Sequence, residues 1–239
     1  MSKISRLLVL LVFVALALSA APAFADPWPA DVPHFSIPVT RLGGSDRFVA
    51  STAIARAAYP GWTGVNTVVL ASGDDGALAD PLAAGSLCWA YDAPLMLVSA
   101  KRIPAPVVTA LKEIASVNPT VTVLVVGGNH SVPAGRITTL RGLVPSGTVT
   151  QPWKLGDRYQ LARSIAARTR SVAATTGRSI PSAVMIANGA NPAAFFDALS
   201  AASVSAQSGV PVLLTRATVL PVATQLAISE SGATSRIIL

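Results

Sequence analysis

Thr67-Val68-Val69-Leu70-Ala71-Ser72-Gly73 and Ser182-Ala183-Val184-Met185-Ile186-Ala187-Asn188-Gly189 decide the fold. Each is a short apolar, β-branched run that stops at a glycine. Such a run reads as a strand buried on both faces, which is the situation in a parallel sheet covered by helices. Working outward, the two runs sit in the same surroundings. Upstream, Ser45-Asp46-Arg47-Phe48 matches Gly156-Asp157-Arg158-Tyr159, and Ile54-Ala55 matches Ile165-Ala166, both at an offset of 111 residues. Downstream, Asp80 matches Asp197, Leu82 matches Leu199, Pro94 matches Pro211, Leu97 matches Leu214 and Pro104 matches Pro221, all at an offset of 117. Matches in one order at one offset indicate two copies of a single unit. The first occupies 40–150 and the second 151–239.

The elements around these strands alternate. In the first copy the pattern predicts helices over 46–58, 78–91, 104–117 and 133–143, and strands over 67–71, 95–98 and 121–126. Ser45 is the expected cap of the first helix, and Pro104 starts the third. The second copy predicts helices over 157–173, 192–207 and 221–229, and strands over 183–187, 211–215 and 235–239. Alternating strands and helices give an α/β fold with short parallel sheets covered by helices. Ile237-Ile238-Leu239 corresponds to Val123-Leu124-Val125. The second copy is therefore expected to be incomplete at its C-terminus, lacking equivalents of 126–151, and the sequence to be part of a longer chain.

Composition narrows the class. The 239 residues are 51% apolar and 12% charged, with a mean hydropathy of +0.56, which excludes intrinsic disorder. The long apolar run near the start is Leu7–Ala20. It is too short to span a bilayer, which needs about 20 apolar residues. With Lys3 and Arg6 before it and Ala23-Phe24-Ala25 after it, 1–25 reads as a signal peptide cut before Asp26, followed by a Pro-rich leader over 26–39. Export and a single cysteine, Cys88, mean that no internal disulfide stabilises the chain. Beyond the signal lie 16 basic and 11 acidic residues, and 14 of all 18 basic residues are arginine. Arginine favours planar acidic partners that it can grip with two N–H groups.

Arg41-Leu42-Gly43-Gly44-Ser45-Asp46-Arg47-Phe48, then Val68–Gly73, Asp80-x-Leu82-Ala83-Ala84, Pro94-Leu95-Met96-Leu97 and Val123-Leu124-Val125-Val126-Gly127-Gly128 together resemble the cell-wall-binding repeat 2 family. The resemblance covers nearly all of 40–239. It implies tandem Rossmann-like three-layer units, three to an assembly in the usual family member. It also implies an exported protein of a Gram-positive bacterium, held at the cell wall by non-covalent binding of an anionic polysaccharide or teichoic-type polymer. Partners would be that polymer and further repeats of the same family. Nucleic acid is not expected, nor membrane after signal cleavage, and no cofactor is implied. The second copy departs from the pattern in having Pro152-Trp153-Lys154-Leu155 where the first has Arg41-Leu42-Gly43-Gly44.

Candidate polymer-binding residues are Arg41, Arg47, Arg158 and Arg163. Arg47 and Arg158 stand in the first turn of equivalent helices beside Asp46 and Asp157. They read either as ligands for phosphate or carboxylate or as local partners of a carboxylate at the helix entry. Arg163 belongs to a basic run of Lys154, Arg158, Arg163, Arg168, Arg170 and Arg178. Such a run sets up a field for a polyanion or forms a solvated helix face. Gly73-Asp74-Asp75-Gly76 lacks regular cation-ligand spacing and reads as a turn. The catalytic inventory is thin: His34, His130 and a Cys88 expected to be packed, with no Gly-x-Ser-x-Gly elbow and no His-Glu-x-x-His helix. A non-catalytic wall-binding module is the expected function. An exported α/β hydrolase acting on peptidoglycan is the alternative.

Overall fold

The repeated aspartate, not the residue before it, starts each copy. Asp46 has extended backbone (φ −148°) and its carboxylate accepts hydrogen bonds from the amides of Phe48 at 2.9 Å and Val49 at 2.8 Å. Asp157 does the same for Tyr159 at 3.0 Å and Gln160 at 2.9 Å. The expected cap Ser45 is therefore one residue too early: a carboxylate at 46 reaches two orphan N–H groups of the first turn. Arg47 and Arg158 become the first helical residue of α1 (Arg47–Ala58) and of its counterpart 111 positions on.

The computed structural model describes residues 40–153, 156–190, 195–233 and 236–238. The expected signal peptide and leader lie outside them. Residues 41–239 form one compact unit. In the first copy, α1 is followed by β1 (Thr67–Ser72), α2 (Ala79–Ala83), α3 (Gly85–Tyr91), β2 (Leu95–Val98), α4 (Ala105–Val117), β3 (Thr122–Val126), α5 (Ala134–Leu143) and β4 (Thr148–Thr150). The second copy supplies α6 (Arg158–Thr176), β5 (Ala183–Asn188), α7 (Phe195–Ser208), β6 (Val212–Thr215), α8 (Val222–Ser231) and β7 (Arg236–Ile238). All pairings are parallel, in the orders β2-β1-β3-β4 and β6-β5-β7. The chain is thus an α/β protein of two three-layer units.

The register repeats as well. Val69 pairs with Leu95 in the first sheet and Met185 with Val212 in the second. Val68 pairs with Val123, and Val184 with Ile237. The proline before each second strand accepts from the central one: Pro94 from Val69 and Pro211 from Met185, both at 2.9 Å.

Two expectations fail locally. Residues 78–91 are not one helix. Pro81 lacks an N–H, and the chain passes through a 3₁₀ turn at Asp75–Ala77 before α2 and α3. Strand β4 was not expected; it is three residues long with only Val149 buried, too short to show a period.

Strand alternation divides the core. Val68, Leu70, Val123 and Val125 face α4 and α5 in a core that belongs to the first copy. Val69, Ala71, Leu124 and Val126 face the other way, into a core completed by α2, α3, Tyr159 and Ile165 of α6, and Met185 and Leu214 of the second sheet. The two copies are therefore joined through a shared apolar core, in which α6 and α7 of the second copy pack on α2 and α3 of the first.

Candidate functional site

Arg47 and Arg158 occupy equivalent places at the carboxyl ends of the central strands, where ligands bind in open α/β sheets. Arg47 Nη1 donates to the Gly73 carbonyl at 2.8 Å and to Asp75 at 2.6 Å. Arg158 Nη1 donates to the Gly189 carbonyl at 2.6 Å. The glycines are required by close approach: a Cβ at Gly73 would sit 3.2 Å from Leu97 Cβ, and one at Gly189 2.9 Å from Leu214 Cβ. The Asp-Arg-aromatic motif thus couples a helix start to the loop after a strand, with Asp capping and Arg clamping. The local partner expected from the sequence is a carboxylate at the helix entry; the partner common to both copies is instead a backbone carbonyl, and Arg47 alone adds a carboxylate, that of Asp75.

The other candidates are dispersed. Arg163 forms a two-point ion pair with Glu230, Nε to Oε2 at 3.1 Å and Nη2 to Oε1, which joins α6 to α8. Arg41 is exposed before α1. Within the basic run, Arg168 donates to the Tyr91 hydroxyl at 2.7 Å, and Arg178 lies 5.1 Å from the centre of the Trp89 ring. These two arginines fasten α6 and the segment just after it to α3 of the first copy. Asp74 and Asp75 diverge: Asp74 accepts from Ser99 at 3.1 Å and the Ala100 amide at 2.8 Å, Asp75 from Arg47. Among the described residues no group of His, Cys, Asp and Glu is arranged to hold a metal ion.

A cavity of about 390 Å³ opens at the junction of the copies. Asp80 of α2 and the Gly128–Ser131 loop line it from the first copy, and Trp153, Asp157 and Arg158 from the second. The Ser131 hydroxyl donates to the Asp80 carboxylate. Burial pushes the Asp80 carboxyl above its ordinary range, opposed by that hydrogen bond and by the Arg158 charge. Gln151 Nε2 donates to the carbonyls of Gly127 and Val132, each at 2.9 Å, and so pins both ends of the loop. Asp80 was read from the sequence only as a marker of the repeat, and Trp153 only as a departure from it. The signal that singled out Asp80 was present: an acid inside an Ala- and Leu-rich stretch, 7% exposed here.

A second, larger groove of about 750 Å³ is lined by α1, α3 and α7 and is mostly apolar. Its residues have buried equivalents at the junction. Ile54 is 51% exposed in the groove, whereas its counterpart Ile165 is 1% exposed. Leu199 is 60% exposed, whereas its counterpart Leu82 is 8% exposed. The groove therefore presents the two faces that are covered where the copies meet. Cys88 lies along it, and burial pushes its thiol up to about 12, which leaves it protonated and unreactive at neutral pH. His130 is exposed at the rim of the junction cavity, and His34 lies outside the described residues.

Two fused α/β units with a duplicated Asp-Arg clamp and one shared core define a tandem-repeat α/β protein. The family model described as cell wall binding domain 2 matches residues 41–136 and 156–238, and the chain belongs to that family. A curated relative is the N-acetylmuramoyl-L-alanine amidase LytC of Bacillus subtilis (strain 168), 26% identical over 200 residues, which cover 84% of this chain and 36% of the amidase. Among solved structures, Cwp6 from Clostridium difficile matches with a TM-score of 0.66 at 24% identity, over 85% of this chain and 30% of that one. Cwp8 from Clostridium difficile matches with a TM-score of 0.61 at 18% identity, over 82% and 34%. The chain spans about a third of the length of each of these proteins.

Proposed function

We propose that this chain is a non-catalytic module that binds an anionic polymer of the Gram-positive cell wall, a polysaccharide or a teichoic-type chain, and so anchors an exported protein at the cell surface. On this reading 1–25 is a removed signal peptide, 26–39 a leader, and 40–150 and 151–239 are two wall-binding repeats. The observation that carries it is the duplicated Arg47 and Arg158, in a member of a wall-binding family. A guanidinium has five N–H donors, and the glycine carbonyl takes one of them. The contact to backbone fixes the plane of each group and leaves further N–H donors for phosphate or carboxylate, which at Arg47 would also compete with its exposed ion pair to Asp75. Arg41 and Arg163 extend the basic surface on either side in sequence, Arg163 through an exposed ion pair that a polyanion would compete for.

A further copy of the same unit is the partner that fits the apolar groove. Ile54 and Leu199 offer there what Ile165 and Leu82 offer at the existing junction. An interface that uses different faces on its two sides leaves one of each kind uncovered, and another copy satisfies both.

The test is sedimentation with purified walls at low and high salt, beside a zymogram on the same walls. Binding is expected to fall as salt rises, because exposed charge contacts are screened over about 8 Å at physiological ionic strength. Arg47→Gln with Arg158→Gln is expected to weaken it further. Equal affinity at both salt concentrations refutes the anionic-polymer reading. Clearing of the zymogram refutes the non-catalytic one and favours the peptidoglycan hydrolase.

A further inference from the structure

The junction cavity has the wrong charge for the anionic part of a polymer. Asp80 and Asp157 both line it beside Arg158, with His130 exposed at the rim, so an entering phosphate or carboxylate meets two acids for one arginine. Arg158 places one N–H on the Gly189 carbonyl, and its charge acts on the Asp80 carboxyl. The remaining groups are those that a polyhydroxylated ring uses. The carboxyl of Asp80, the amide of Asn129 and the hydroxyl of Ser131 offer donors and acceptors close together, and Trp153 offers an apolar ring face. A volume of about 390 Å³ suits one or two sugar rings, at the small end of ligand cavities.

The cavity is also prebuilt. Gln151 pins the loop at Gly127 and Val132, and Ser131 is held by Asp80. Gly127 has φ +103°, and a side chain there would run into the Asp80 carboxylate. Trp153 stands where the first copy has Leu42, so the aromatic wall belongs to this junction in particular.

Resting on the wall-binding reading, we propose that this cavity holds one uncharged sugar unit of the polymer. Trp153 packs on the sugar ring, and Asp80, Asn129 and Ser131 bond its hydroxyls. The anionic groups of the polymer stay outside on the basic surface. Charge then supplies attraction and the cavity supplies choice of polymer, since a site built to hydrogen-bond hydroxyls rejects a unit that lacks them.

The test follows the tryptophan indole N–H signals of the isotope-labelled protein by NMR. The probe is the uncharged oligosaccharides released from Bacillus subtilis walls by hydrofluoric acid, which cleaves phosphodiesters. Saturable movement of the Trp153 signal at equal midpoints in low and high salt is expected, with the Trp62 and Trp89 signals still. With binding followed instead at the backbone amide signals of the Gly128–Ser131 loop, Trp153→Ala is expected to weaken it about tenfold and Trp153→Phe much less, given what aromatic packing contributes beyond area. Asn129→Ala, an exposed change, is expected to weaken it without affecting folding. No saturable movement, movement at Trp62 or Trp89 instead, or a midpoint that rises with salt overturns the proposal. Salt-sensitive sedimentation onto intact walls, measured separately, decides the wall-binding reading: it survives a silent Trp153, and the cavity proposal survives failure to sediment if Trp153 responds.

Discussion

Gly85→Ala tests whether the two copies are truly fused. Gly85 opens α3 and faces α7 across the junction. A Cβ there would lie 2.7 Å from the Ala202 carbonyl oxygen, 3.0 Å from Ser205 Cβ and 3.2 Å from the Ala206 amide nitrogen. Ordinary contact begins near 3.4 Å, so α7 must retreat by several tenths of an ångström. Two of the three obstacles are backbone of a 14-residue helix, which moves as a body. Overpacking of this kind costs about 1–3 kcal/mol, against a helix-propensity gain of at most about 1 kcal/mol for replacing glycine by alanine. Gly135→Ala in α5 is the matched control, because a Cβ there has nothing within 4 Å. It gains the propensity alone and is expected to stabilise by about 0.4–1 kcal/mol. Urea unfolding of both variants gives the comparison. The Gly85 variant is expected to lose about 1–2 kcal/mol net and the Gly135 variant to gain. If both gain equally, α3 and α7 are not in contact and the shared core does not exist.

The equivalent isoleucines give a second comparison. Ile165→Ala removes a side chain packed in the shared core and is expected to cost about 2–5 kcal/mol, while Ile54→Ala, half exposed in the groove, is expected to cost less than about 1 kcal/mol; thermal melts measure both, and equal losses would mean that Ile54 is already covered by another molecule. Asp80→Asn is expected to change how stability varies with pH. The folded carboxyl binds its proton more tightly than the unfolded one because burial disfavours the anion. The unfolded chain therefore holds fewer protons in the window above the ordinary value of 3.8, and Asp80 makes the protein lose stability as pH rises through its folded pKa. Urea titrations at stepped pH are expected to show that loss in the native protein relative to the variant; an identical pH dependence in both would mean that Asp80 is solvated. Gly209→Ala is expected to destabilise by more than about 1 kcal/mol in thermal melts, because Gly209 has φ +73° and its Cβ would enter the Trp89 ring.

The sequence made the strands legible because burial on both faces leaves a continuous apolar run, as at Thr67–Ser72, where every residue is buried. The duplicated Asp-Arg-aromatic motif was legible as a helix start because capping chemistry is local. What each arginine touches was not, since Gly73 and Gly189 lie 26 and 31 residues further on. The break in 78–91 was signalled by Pro81 but outweighed by the alanines around it. The junction cavity had no pattern to find. Asp80, Ser131 and Trp153 lie far apart in sequence; the first copy's own loop packing joins Asp80 to Ser131, Gln151 ties the segment before Trp153 to that loop, and α6 closes the cavity with Arg158.

The packing of α6 on the first copy also bears on why a wall-binding chain repeats its unit. Arg158 lines the junction cavity beside Asp80, which belongs to the other copy. Its equivalent Arg47 lines the open groove and turns to Asp75 of its own copy. The same residue thus contributes to a composite cavity or to an exposed basic edge according to whether a neighbour is docked against its helix. Sites of the composite kind are counted by junctions, not by copies: a row of copies has one fewer cavity than copies, and a closed ring has as many. Linked sites turn later contacts with a long polymer into intramolecular events, and each added site can raise binding by roughly 10²–10⁴ when geometry allows. Adding one copy that fills the groove and closes a ring would raise the number of junctions from one to three. The gain in wall affinity should then be much steeper than the gain in basic residues, and steeper than any single-copy site would give.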